Sequence, residues 1–150
     1  MDETISRNES PSRRLLNLLL VDPDEISLLA YRRMAEMSGR FASVRSATNG
    51  LTAFDLLNQA AEGRLPIPDV LIINMNMPVL NGITLLKVLK KWDCAEKKNI
   101  HIIVSGTALS EDEKHSLQSF GVSDFLQKPV SFEAFDEAVR PHKPALHPTP

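Results

Sequence analysis

A short apolar run, Val70 to Ile73, does not alternate with polar residues, and three of its four residues are β-branched. Such a run is typical of a strand that is buried on both faces, and strands of this kind occur mainly inside parallel sheets. Parallel neighbours need long crossover connections, which are usually helices. This run therefore predicts an α/β protein whose parallel sheet is covered by helices on both sides.

Similar apolar runs recur along the chain, and a helical pattern follows each of them. The other predicted strands are Leu15–Val21, Phe41–Ala47, Ile100–Val104 and Asp124–Gln127. Strands that alternate with helices form parallel sheets with right-handed crossovers. We therefore predict a doubly wound, five-stranded parallel sheet of the flavodoxin-like (βα)5 class, a three-layer sandwich.

The helical patterns also predict which residues face the core. Each pattern repeats apolar residues three or four positions apart, as one face of a helix does. In the first helix this face comprises Ile26, Leu29, Ala30, Arg33 and Met37, and in the second it comprises Leu51, Phe54, Leu57 and Ala61. Ser110 and Glu113 have the spacing of a capping box, which predicts the start of the fourth helix.

Length and composition are those of one ordinary globular domain. The chain has 150 residues, of which 43% are apolar, and its net charge is −2. No basic cluster indicates nucleic acid binding, and no apolar run reaches the roughly 20 residues of a membrane helix. We expect a disordered tail over residues 1–13, one domain over 14–140 and a Pro-rich tail over 141–150. The single cysteine, Cys94, forms no internal disulfide, which favours a cytoplasmic location.

Polar side chains stand where four of the predicted strands end. Asp22 and Asp24 follow the first strand, Asn74 the third, Ser105 the fourth and Lys128 the fifth. In open parallel sheets, the carboxyl ends of the strands form the ligand site. An acid, an amide, a hydroxyl and an amine are therefore expected to converge on one edge of the sheet.

These segments resemble the receiver domains of bacterial response regulators, the CheY-like family, over about residues 14–140. The resemblance rests on four segments in the right order and at the right spacing. They are Leu18-Leu-Leu-Val-Asp22, Asn74-Met-Asn-Met-Pro78 with Asn81-Gly82, Ile103-Val-Ser105-Gly106 and Asp124-Phe-Leu-Gln-Lys128-Pro129. The resemblance implies a stand-alone receiver of a two-component or phosphorelay system rather than an enzyme.

The resemblance also implies a role for each polar position. In the family, an aspartate at the position of Asn74 accepts a phosphoryl group from a histidine kinase, and nearby acids hold Mg²⁺. Ser105 and Lys128 would contact the phosphoryl oxygens, and Phe125 would reorient with the hydroxyl. A histidine kinase or another signalling protein would bind through residues of about 110–140, and the chain would be a monomer or a weak dimer.

Two residues depart from the family pattern at this site. Asn74 stands where the phosphoacceptor aspartate is expected, and Pro23 stands at an acidic position that contacts the metal. Because a neutral amide is a poor nucleophile and a hard cation needs anionic oxygens, we expect no phosphorylation and weak or absent Mg²⁺ binding at Asp22, Asp24 and Asn76. The sequence therefore predicts a natural pseudo-receiver, and the alternative is an active receiver that carries an engineered Asp-to-Asn change.

Each of these residues also has a purely structural interpretation. Asn74 alone could be a strand-end amide, Ser105 and Lys128 could be surface groups, and Phe125 could be a core aromatic. A flavodoxin-like enzyme or cofactor binder is disfavoured because the loop after the first strand, Asp22 to Glu25, is acidic and repels phosphate. We further hypothesise that Lys128 pairs with Asp22 and that Asn74 bridges the two. The resemblance suggests a cis bond before Pro129.

Overall fold

A computed structural model describes residues 14–77, 81–92 and 99–140 of the chain. Strands and helices alternate along the described residues, as predicted. The strands are β1 Leu16–Val21, β2 Phe41–Ala47, β3 Val70–Asn74, β4 His101–Gly106 and β5 Val122–Gln127. The helices are α1 Glu25–Ser38, α2 Gly50–Ala61, α3 Gly82–Lys90, α4 Glu111–Gln118 and α5 Phe132–Val139. The predicted tails, Pro78 and Cys94 lie outside the described residues.

All five strands belong to one parallel sheet in the order β2-β1-β3-β4-β5. β3 is the central strand, and β1 lies between β2 and β3, so the chain moves to one side of β1 for β2 and to the other side for β3. This reversal of direction leaves a crevice at the carboxyl ends of β1 and β3, which is where doubly wound sheets place their sites. The predicted fold class is therefore confirmed.

Two apolar layers cover the sheet, one on each face. Leu57, Leu85 and Leu117 bring α2, α3 and α4 against one face. Leu28 and Phe135 bring α1 and α5 against the other. Every residue of β3 is buried, which confirms that this strand is covered on both sides.

The predicted inner face of α1 is wrong. Ile26, Leu29 and Met37 are 76%, 59% and 67% exposed, respectively. The helix instead buries Leu28, Tyr31 and Ala35. The helix has two apolar stripes, and helical spacing alone does not say which of them the sheet will cover.

The predicted inner face of α2 is also wrong in part. Leu51 is 59% exposed and Ala61 lies on the surface, whereas Ala53, Leu57 and Ala60 are buried. The face that packs on the sheet therefore runs through Ala53, Leu57 and Ala60, and Leu51 lies outside it.

Side-chain caps begin the helices at the expected residues. In each helix the side chain of the capping residue accepts a hydrogen bond from a backbone N–H of the first turn. The capping residues are Asp24, Asn49, Asn81, Ser110 and Ser131. The capping box of Ser110 and Glu113 is complete, as predicted. None of the helices in the described parts of the chain is long and apolar enough to cross a membrane.

Candidate functional site

The register of the three central strands places the predicted site residues side by side. Leu20 pairs with Ile72, and Ile72 pairs with Ile103. Asp22, Asn74 and Ser105 each follow one of these residues by two positions, so their side chains point to the same face of the sheet. This face is the one that α1 and α5 cover. The expected convergence of the acid, the amide and the hydroxyl is therefore confirmed.

A buried ion pair crosses this edge of the sheet. Lys128 Nζ lies 2.7 Å from Asp22 Oδ2, and the Asp22 side chain is 1% exposed. The other carboxylate oxygen of Asp22 accepts a hydrogen bond from the Asp24 backbone N–H at 2.9 Å. The predicted pairing of Lys128 with Asp22 is thus present, and both carboxylate oxygens are engaged. The peptide bond between Lys128 and Pro129 is cis, as the resemblance suggested.

The side chain of Asn74 makes different bonds from those predicted. Its Nδ2 donates to the backbone oxygen of Asn76 at 2.6 Å, and its Oδ1 lies 3.5 Å from Ser105 Oγ. The hypothesised bridge between Asp22 and Lys128 is wrong, because the loop after β3 folds the Asn76 carbonyl back over the strand end. A carboxylate at this position would have no hydrogen to donate to that carbonyl.

The three positions predicted for metal contact do not form a cation cage. The Asp24 carboxylate caps α1 by accepting from the backbone N–H of Ile26 at 3.1 Å and from Ser27 Oγ at 3.0 Å. The Asn76 side chain is exposed. Among the described residues, no three His, Cys, Asp or Glu side chains are close enough to hold a metal ion. Lys128 Nζ already pairs with Asp22 at 2.7 Å, so neither of the two carboxylates described at this edge of the sheet is left unengaged to bind a hard cation such as Mg²⁺.

A glycine brings α3 into contact with the end of β3. A Cβ atom on Gly82 would lie 2.9 Å from the Asn74 backbone oxygen and 3.1 Å from the Met75 backbone oxygen. Both distances are shorter than ordinary contacts to a Cβ atom. Gly82 therefore does more than form the predicted turn, because it allows the helix to begin directly against the site.

Phe125 does not join the other site residues. Ser105 pairs with Leu126 in the sheet, whereas Phe125 pairs with Val104 and packs partly buried against the core on the α4 side. The Lys114 ammonium lies 5.7 Å from the centre of the Phe125 ring. Phe125 therefore lies on β5, on the opposite face of the sheet from Ser105.

The sequence did not point to Tyr31. This residue lies on α1, beneath the pocket that Asp22, Asn74, Ser105 and Lys128 form at the edge of the sheet. Tyr31 is 2% exposed. Burial is the main cause that raises the pKa of its hydroxyl to about 12, while the nearby Ser105 side chain lowers this pKa and the charge of Asp22 raises it. A polar atom on an apolar helix face was the only available signal, and nothing nearby in the sequence pointed to Ser105.

Comparison with known proteins decides the family. Residues 18–140 match the family model of the response regulator receiver domain. The chain belongs to the response regulator receiver family. This receiver is 30% identical over 125 residues to the polar-differentiation response regulator DivK of Brucella anthropi, an alignment that covers 83% of this chain and 93% of DivK.

Solved receiver structures have the same fold. A two-component response regulator from Cytophaga hutchinsonii superimposes with a TM-score of 0.73 at 25% identity, covering 83% of this receiver and 95% of that chain. The chemotaxis response regulator CheY4 of Vibrio cholerae gives a TM-score of 0.70 at 22% identity, covering 83% and 96%. The protein is therefore a response regulator receiver domain of two-component signalling.

Proposed function

We propose that this receiver is a pseudo-receiver, which is not phosphorylated at Asn74 and signals by binding another protein. The hydrogen bond from Asn74 Nδ2 to the Asn76 carbonyl, at 2.6 Å, carries this proposal. The bond needs an amide, since two oxygens at this distance would repel each other. The local backbone is therefore fitted to asparagine rather than to aspartate.

The chemistry of the pocket supports the same proposal. Phosphoryl transfer to a receiver needs a carboxylate oxygen as nucleophile and a cation that neutralises the incoming charge. Asn74 supplies an amide, Pro23 supplies no ligand, and Asp22 is engaged by Lys128 at 2.7 Å. With the nucleophile and an anionic ligand both missing, the pocket lacks two components of the reaction.

Intact mass after incubation with acetyl phosphate and Mg²⁺ tests the proposal. We expect no added phosphoryl group on the native chain or on Asn74→Asp, and a gain only when Asn74→Asp is combined with Pro23→Asp. An active receiver with an engineered asparagine would instead recover phosphorylation with Asn74→Asp alone. A phosphoryl group on the native chain would refute the proposal outright.

The partner surface that we propose comprises α4, β5 and α5, about residues 110–140. β5 is an edge strand, and α4 and α5 flank it on the two faces of the sheet. The exposed carboxylates of this surface include Glu111, Asp112, Glu113, Glu133 and Glu137. A signalling protein, such as a histidine kinase, that presents a basic surface would complement these charges. Glu111→Lys together with Glu113→Lys should slow association, whereas Glu62→Lys on the far side of the chain should not.

We further propose that the protein has no enzymatic activity and no bound cofactor, is cytoplasmic, and is a monomer or weak dimer. The acidic carboxylates beside the end of β1, Asp22 and Asp24, disfavour a flavin phosphate at that position. Purified protein should be colourless, should not hydrolyse a generic phosphate ester, and should elute as a monomer at micromolar concentration. Heat release on Mg²⁺ titration should be weak or undetectable.

A further inference from the structure

The Tyr31 hydroxyl is a buried polar group that lacks a hydrogen bond of normal geometry among the described residues. Nearly all buried polar groups in folded proteins are paired, so an exception needs a physical reason. Tyr31 is also the only tyrosine of the chain.

Aromatic packing fixes the position of the Tyr31 ring. Its centre lies 6.1 Å from that of Phe135 on α5, and Phe135 lies 6.3 Å from Phe41 on β2. Such ring pairs prefer defined geometries, so the ring has little freedom to turn away. The hydroxyl is therefore held on the face of the sheet that carries Asp22 and Ser105, the two groups that act on its ionisation.

Ser105 has the bonding capacity that this hydroxyl needs. Ser105 is fully buried, and its hydroxyl points to Asn74 Oδ1 across a long contact of 3.5 Å. A serine hydroxyl that donates in one direction keeps two lone pairs with which it can accept. A phenol is a good donor, and the nearby negative charge of Asp22 favours its protonated form.

We propose that Tyr31 is a positioning residue for Ser105. Its hydroxyl donates to Ser105 Oγ and turns the hydrogen of Ser105 toward Asn74. A directed chain of hydrogen bonds then runs from Tyr31 through Ser105 and Asn74 to the Asn76 carbonyl. This chain ties α1 to the loop after β3, and it does so whether or not the receiver is ever phosphorylated.

The chain of bonds has a consequence for signalling. Ser105 is held between Tyr31 and Asn74 and is therefore not free to move toward a ligand at the sheet edge. The same bonds fix the orientation of the Asn74 carboxamide, because its oxygen accepts from Ser105 and its nitrogen donates to the Asn76 carbonyl. Loss of the Tyr31 hydroxyl should therefore change the environment of Asn76, although Asn76 lies in the loop after β3 and not on α1.

Tyr31→Phe tests the proposal because it removes the hydroxyl and keeps the ring. In ¹H–¹⁵N spectra we expect the Asn74 carboxamide signals and the Asn76 and Met77 amide signals to shift, and hydrogen exchange of those amides to become at least several-fold faster. Ser43→Ala is the matched control, because it removes a half-buried hydroxyl that bonds Asn17 Oδ1 at 2.7 Å, away from the pocket. It should leave all of these signals unchanged.

Ser105→Ala should reproduce the shifts of Tyr31→Phe, and the double variant should add nothing further. Unchanged Asn74 and Asn76 signals in Tyr31→Phe would overturn the proposal, as would shifts from the two variants that simply add. If Tyr31→Phe does not fold, the ¹³Cζ signal of the single tyrosine, which reports on the bonding of its hydroxyl, serves instead. This signal should shift in Ser105→Ala and stay in place in Ser43→Ala, and an unaltered signal in Ser105→Ala would also overturn the proposal.

Discussion

Asn74→Asp should destabilise the protein, although the family resemblance implies an aspartate at this position. The introduced carboxylate loses the hydrogen bond to the Asn76 carbonyl, which is 2.6 Å long with the native amide. It also adds a negative charge to an edge where Asp22 is already buried at 1% exposure. Both changes act in the folded state alone.

The size of the effect follows from the geometry. Neighbouring strands lie about 5 Å apart, so carboxylates at the ends of β1 and β3 would be separated by about 5–8 Å. At an effective dielectric constant of about 20 this repulsion is roughly 2–3 kcal/mol, and attraction to Lys128 offsets part of it. The lost hydrogen bond adds about 1 kcal/mol. The free energy of unfolding should therefore fall by about 1–3 kcal/mol, which lowers Tm by about 3–10 °C.

Thermal unfolding of the native chain and the variant without Mg²⁺ measures this difference. The repulsion raises the pKa of the introduced carboxyl, so the destabilisation should be full at pH 8 and should shrink as the pH falls toward about 4. Asn76→Asp makes the same chemical change on an exposed side chain of the same loop and should alter Tm little. A Tm of Asn74→Asp that equals or exceeds the native value would refute the electrostatic reasoning.

Three further changes test the remaining contacts. Lys128→Met leaves the buried Asp22 carboxylate without its partner and should lower the free energy of unfolding by about 3 kcal/mol in chemical denaturation. Lys114→Met, at the pair with the exposed Glu111, should lower it by less than about 0.5 kcal/mol, and equal losses would contradict this reasoning. Gly82→Ala forces a Cβ against two backbone oxygens and should cost about 1–3 kcal/mol, more than Gly106→Ala, whose Cβ would meet only the flexible Leu109 side chain at 3.3 Å. The hydrogen bond from Arg40 lowers the pKa of Asp136 below 3.8, so its stabilisation is present above that pH and is lost as the pH falls through the folded-state pKa. The stability gap between the native chain and Arg40→Met should therefore close under acid, and a gap that stays constant down to pH 2 would exclude this pair as its cause.

The sheet and the meeting of Asp22, Asn74 and Ser105 could be predicted because they depend on local patterns. Apolar runs that do not alternate with polar residues predicted the strands, and the polar residues at the ends of these runs predicted the edge of the sheet that carries the site. In-register pairing then placed the three side chains on one face, since Asn74 pairs directly with Ser105. No knowledge of distant contacts was needed for these steps.

The errors arose where the answer depended on contacts between distant segments. The buried side of α1 is decided by Phe135 on α5, against which Tyr31 packs, and helical spacing does not contain that information. The bond partner of Asn74 is decided by the path of the loop that carries the Asn76 carbonyl. The part played by Tyr31 was missed for the same reason, because Ser105 comes close only after the sheet has formed.

The most direct test of the central claim is a ¹H–¹⁵N spectrum recorded with and without beryllofluoride and Mg²⁺, which together mimic a phosphoryl group on a carboxylate. We predict that the signals of Ser105, Phe125 and Lys128 stay in place in the native chain, because Asn74 offers no carboxylate for the mimic. A second set of signals in slow exchange at these residues would show that the pocket still accepts a phosphoryl group, and would contradict the claim.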